Sequence, residues 1–65
     1  MELEKALAKI RGKRCELKYS QQDIADKLNI SLKTYCFKEN GTSEFTFAEI
    51  IKLCKIFECK IDDFF

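Results

Sequence analysis

Apolar residues in the first quarter of the chain recur at alternating intervals of four and three. Leu3, Leu7, Ile10, Arg14 and Leu17 form one stripe, which predicts an amphipathic helix over about residues 3–17. Arg14 is the exception on that stripe, because an unpaired charge on a buried face is costly. Ser20 supplies an N-cap with Asp23 as its capping-box partner. A short helix follows from about Gln21, with Ile24, Ala25 and Leu28 turned inward. Asn29 suits the left-handed backbone that ends a helix. Ser31 caps a third helix running to Asn40, and Gly41 stands where a C′ glycine belongs. Thr46 and Glu49 frame another capping box, ahead of Phe47, Ile50, Ile51, Cys54 and Phe57 on one face of a fourth helix. Cys59 and Lys60 break the pattern, and residues 61–65 read as a last short turn or helix.

Five short helices joined by connections of about 3–5 residues predict a compact all-α bundle, one domain over residues 1–65. The length fits one thin core, since so short a chain buries only about 60% of its unfolded surface. No proline and only two glycines leave little room for long loops. The longest uncharged run covers residues 28–32, far too short to span a bilayer. No charged-then-apolar leader is apparent, so a cytoplasmic location is expected, with no membrane partner.

Net charge is +1, which neither favours nor excludes nucleic acid. The first third is the more basic part, with Lys5, Lys9, Arg11, Lys13, Arg14 and Lys18 against Glu2, Glu4 and Glu16. Such a stretch suits phosphate contacts or an ordinary solvated face. Cysteines stand at 15, 36, 54 and 59 with no C-x-x-C spacing and no histidine, which argues against zinc. They read as small buried or half-buried hydrophobes, Cys54 buried and the others partly accessible, none in a disulfide. Without histidine the histidine-based nucleophile systems are impossible. Gly12 and Gly41 cannot form a phosphate loop. No enzyme, small-molecule substrate or cofactor is expected.

The informative stretch is residues 21–40, two helices joined by about three residues. Ala25 is small where the helices approach, Asn29 takes the turn and Tyr35 faces inward. This is the spacing of a helix-turn-helix, whose second helix enters the major groove of DNA. Generic helix pairs share parts of the pattern.

The run SQQDIADKLNISLKTYCFKENG resembles the Xre family of phage repressor and Cro-like regulators. The following FTFAEIIKLCKIFECKIDDFF is similar to that family's fourth and fifth helices, so the resemblance covers about residues 7–65. It implies a lambda-repressor-like five-helix fold and a sequence-specific regulator from a phage or another mobile element. Carried over by position, Gln21 would hydrogen-bond a phosphate. Ser31, Leu32, Lys33 and Phe37 would face the groove, while Asn40 and the amides near Gly41 and Thr42 would hold the DNA backbone. The family also places an Arg–Glu pair at Arg14 and Glu39; outward snorkelling of Arg14 is the alternative.

This sequence departs from the family pattern at several positions. Asn29 replaces the usual turn glycine, and Lys18 stands where a glycine often ends helix one. Lys38 occupies an inward apolar position, where its stem would pack while its amine snorkels. Leu32 and Phe37 replace polar base readers, and Glu44 lies near a usual basic contact. The two apolar residues suit thymine methyls. They equally suit a rival reading, a protein-interaction module (an antirepressor or phage-encoded inhibitor) using Leu32, Tyr35 and Phe37.

One short helix reads few base pairs, so a homodimer on a palindromic double-stranded operator is expected. Phe57, Ile61, Phe64 and Phe65 are its candidate interface. The alternative is that they close the monomer core.

Overall fold

A computed structural model of the protein describes residues 2–65 of the backbone and the side chains from Glu4 onward. The described residues form four α-helices and one 3-10 turn: α1 Glu2–Glu16, α2 Gln21–Leu28, α3 Leu32–Glu39, α4 Phe47–Phe57 and the turn Ile61–Asp63. The expected fifth helix is thus a single turn of three residues, too short for an α-helical hydrogen bond ladder.

Local chemistry sets the helix starts. Ser20 and Thr46 each accept from the backbone N–H three residues on, and Asp23 and Glu49 reach back to the cap N–H groups. Ser31 caps α3 through Thr34 N–H at 3.1 Å. Three of the four α-helices end in the left-handed region without glycine, at Lys18 (φ 63°), Asn29 (φ 60°) and Glu58 (φ 54°). Each end is closed by a hydrogen bond from the following residue back across the last turn: Tyr19 N–H to Arg14 C=O, Ile30 to Ala25 and Cys59 to Cys54. These bonds satisfy carbonyls that a helix end leaves open.

The core consists of Ala6, Leu7, Ile10, Ile24, Ala25, Leu28, Tyr35, Leu53, Phe57 and Phe64. Burying each large side chain contributes about 1.5–3 kcal/mol. α3 packs on α2 and on α1, while α4 packs on α2 and carries the 3-10 turn. Ala25 is fully buried, and its small side chain allows α2 close to its neighbours.

Two stripes shift from their expected registers. Leu17 is 44% exposed because α1 ends at Glu16 and the chain turns away at Lys18. Leu3 lies outside the described side chains. In α4 the deepest residues are Leu53 and Phe57, while Phe47 is 72% exposed. Ile50, Ile51 and Cys54 are half-buried. Apolar residues occupy nearly every side of α4, so the sequence carries two overlapping stripes, and packing selects the one through Leu53.

Candidate nucleic-acid interface

The helix-turn-helix unit is α2, a turn through Asn29 and Ile30, and α3. With 3.6 residues per turn, α3 sorts its side chains cleanly. Tyr35 and Glu39 point inward and are buried. Leu32, Lys33, Phe37 and Asn40 are exposed and Cys36 is half-exposed, which together make one continuous outer face.

The inner face is held by a polar cluster. Arg14 on α1 donates from Nε to Glu39 Oε2 at 2.9 Å and from its second terminal nitrogen to Oε1 at 3.1 Å. Its remaining nitrogen reaches Tyr19 C=O at 3.0 Å, so Arg14 does not snorkel outward. The Tyr35 hydroxyl donates to Glu39 Oε2, and Gln21 Nε2 donates to Oε1 at 3.1 Å. Cys36 donates its thiol to Gln21 Oε1 at 3.3 Å. Arg11 adds a bond to the Glu39 carbonyl at 2.9 Å. Among the described residues no buried side-chain nitrogen or oxygen lacks a partner.

Burial by itself pushes the Glu39 carboxyl up, but hydrogen bonds from Arg14, Tyr35 and Gln21 outweigh it and hold it below the ordinary carboxylate range. Burial first, then the hydrogen bond to Glu39, drives the Tyr35 hydroxyl well above the usual phenol value. The Glu39 hydrogen bond raises Arg14 against its desolvation. The charge state is therefore fixed: carboxylate, guanidinium and neutral phenol.

A second clamp joins α3 to α4. Lys38 Nζ lies 2.6 Å from Glu49 Oε1 and donates to Glu44 C=O at 3.1 Å. The expectation of a snorkelling amine is corrected: Lys38 is drawn inward because Glu49, also serving the Thr46 cap, presents an acceptor beside it. Burial opposes ionisation of Glu49, but the Lys38 and Thr46 bonds hold its carboxyl below the ordinary range.

The groove candidates fall into four groups. Leu32 and Phe37 are each 40% exposed, and the Lys33 ammonium lies 5.7 Å from the Phe37 ring centre, within cation–π range. Ser31 is exposed but committed to its cap, accepting from Thr34 N–H and donating to the Thr34 hydroxyl at 2.8 Å. Gln21 is half-buried, one amide hydrogen going to Glu39. Asn40 Oδ1 accepts Thr42 N–H at 3.0 Å, which leaves the Asn40 NH₂ and the Thr42 hydroxyl on the surface. The backbone amides near Gly41 and Thr42, expected to hold DNA, are engaged within the turn in this structure. Gly41 N–H goes to Lys38 C=O and Ser43 N–H to Phe37 C=O, so the turn satisfies its own donors.

The expected dimer residues also divide. Phe57 is 4% exposed and Phe64 is 0% exposed. Their rings meet edge to face at 6.2 Å, closing the monomer core instead of offering a surface. Ile61 is half-buried and Phe65 is 66% exposed. Tyr35, assigned to a protein-binding patch in the rival reading, is fully buried. Cys15 is exposed; Cys36, Cys54 and Cys59 are half-buried, so Cys54 is less deep than expected, and all four thiols are free.

Arg11, the Cys36–Gln21 contact and the Lys38–Glu49 pair escaped the sequence reading. Arg11 had a faint signal, standing three residues before Arg14 on the same helix face; the other two depend on distant elements meeting. Among the described residues, no helix is long and apolar enough to cross a membrane. Neither a curated protein nor a solved structure matches the chain. The family model described as Helix-turn-helix matches residues 10–64, from the middle of α1 through the 3-10 turn. With this match the chain belongs to the Xre and lambda-repressor-like helix-turn-helix family, a family of DNA-binding regulatory domains that are not typically enzymatic.

Proposed function

We propose that the protein is a sequence-specific transcriptional regulator of the phage repressor or Cro kind. It acts by occupying a twofold-symmetric operator as a homodimer, without a cofactor. The observation that carries this reading is the asymmetry of α3. Its inner face is clamped to α1, α2 and α4 by Glu39 and Lys38, while its outer face is open. A rigidly held helix with one free face is what major-groove reading requires.

Lys33 is the base reader, suited to the O6 and N7 acceptors of guanine. The free N–H groups of the first turn of α2 and the remaining amide hydrogen of Gln21 meet one phosphate. The Asn40 NH₂ and the Thr42 hydroxyl meet another. These contacts position the helix, and Lys33 specifies. The loss of Tyr35 from the outer surface leaves the rival protein-binding patch with only Leu32 and Phe37, which weakens it.

The test is titration of duplexes, selected and random, over a salt series. Wild type should prefer the selected duplex, with affinity falling as salt rises. Lys33→Ala should lose about 1–3 kcal/mol and relax preference at one base pair. Equal, salt-independent signals on both duplexes end the reading.

A further inference from the structure

The outer face of α3 has an unusual composition for a groove-reading surface. Its order around the helix is Leu32, Cys36, Asn40, Lys33, Phe37, which places Leu32 and Phe37 about 140° apart at its two edges. Both edges are carbon, each 40% exposed. The one charged group between them, Lys33, lies over the Phe37 ring, so a single side of the helix carries an ammonium backed by an aromatic face. Ser31, the polar group at the start of α3, is spent on its cap. The face thus offers few hydrogen bonds to base edges and two apolar contacts.

Only one base-pair feature of the major groove is apolar, the C5 methyl of thymine; cytosine in the same place presents hydrogen. Resting on the DNA-binding reading above, we infer that Leu32 and Phe37 read C5 methyl groups, making the preferred site a pair of thymines on either side of a guanine held by Lys33. Apolar residues placed against bare base edges and water gain nothing, whereas against methyls they bury carbon on carbon. Positive charge at Lys33 keeps the face attractive to the duplex, which distinguishes it from a neutral apolar patch built for protein.

The experiment uses the intact chain and two random duplex pools, one made with thymine and the other with uracil throughout. Uracil pairs identically and lacks only the methyl. Selection on the thymine pool yields a motif, and the motif is then rebuilt with uracil at each thymine in turn. A buried methyl is worth about fourfold, so replacing both thymines should weaken binding roughly fifteenfold, while uracil outside the motif changes little. Leu32→Ala with Phe37→Ala should bring the thymine-to-uracil ratio close to one. That ratio is insensitive to a partial loss of folded protein, and both residues are already partly exposed. Sequence-specific binding that is indifferent to uracil overturns the inference and leaves the DNA reading intact. A ratio unchanged in the double variant overturns the assignment to these residues. Absence of duplex binding from both pools overturns the DNA reading and the inference with it, and gives the two apolar residues to a protein partner.

Discussion

Glu39 is the charged residue that the core encloses, and it ties three helices to one carboxylate. Arg14 comes from α1, Gln21 from α2 and Tyr35 from its own helix. Removing one partner from such a cluster leaves the other charge buried and uncompensated, at a cost of about 3–5 kcal/mol. Arg14→Met should therefore unfold much of the population, a large fraction of the stability of any small domain. The cluster also sets an acid limit. A carboxyl whose folded value is lowered stabilises the fold fully above the ordinary carboxylate value, near 4.5. Below that pH the unfolded chain takes up a proton that the folded protein still refuses, so stability falls until the lowered folded value is passed. Glu49 shifts in the same direction. Urea midpoints measured over a pH series should decline below about pH 5, and less steeply in Glu39→Gln. Arg14→Met as stable as wild type, or a flat acid limb, would show that the cluster contributes little. The Arg14–Glu39 pair was legible only through family resemblance. Arg14 on an apolar stripe announced a need for a partner, but nothing local to either residue says which carboxylate meets it.

Capping was the most legible feature at the scale of elements, because it depends on residues three apart. Ser20 with Asp23, Ser31, Thr46 with Glu49, and Asn29 in the left-handed region all follow from adjacent chemistry. The face of α4 did not, because its amphipathicity is blurred by apolar residues on all sides and only tertiary contact with α2 and the 3-10 turn selects Leu53 over Phe47. The left-handed helix ends yield a graded prediction. A non-glycine residue there bears about 1–2 kcal/mol of strain, partly offset by the greater unfolded freedom of glycine. Lys18→Gly and Glu58→Gly should each raise stability by about 0.5–1 kcal/mol, or a few degrees in Tm. Asn29→Gly should be nearly neutral, since asparagine tolerates this backbone. Gly41 is the converse case. Its φ is +89°, and an added Cβ would meet Leu7 Cδ1 at 3.3 Å, so Gly41→Ala should lower Tm. Thermal unfolding of the four variants reads the order directly, and a Lys18→Gly or Glu58→Gly protein that melts earlier than wild type contradicts it.

The described chain measures 25 × 24 × 20 Å, less than the roughly 34 Å of one turn of DNA. In the proposed function a single copy then matches one half-site, and a second copy reads the adjacent turn of the groove. For the proposed dimer, Phe57 and Phe64 offer no surface, because the monomer buries both in its own core. What remains is Phe65, 66% exposed, at the rim of an apolar cavity of about 180 Å³ shared with Leu7, Ile10, Phe45 and Ile50. Ile61 lies half-buried four residues earlier. An exposed phenylalanine beside an open apolar cavity is a surface that a second copy can cover, each Phe65 extending the apolar contact of the other under twofold symmetry. Phe65→Ser should then convert a concentration-dependent dimer into a monomer in sedimentation while leaving Tm close to that of the wild-type monomer. Phe64→Ser should instead lower Tm sharply, since it empties a fully buried ring site, a loss of about 3–5 kcal/mol for comparable truncations. On DNA, the Phe65→Ser protein should bind an isolated half-site as wild type does and lose the added affinity of a palindrome with half-sites one turn apart. A wild-type chain that remains monomeric at high concentration and gains nothing from the palindrome would remove the dimer from the proposed function and leave each copy reading its half-site alone.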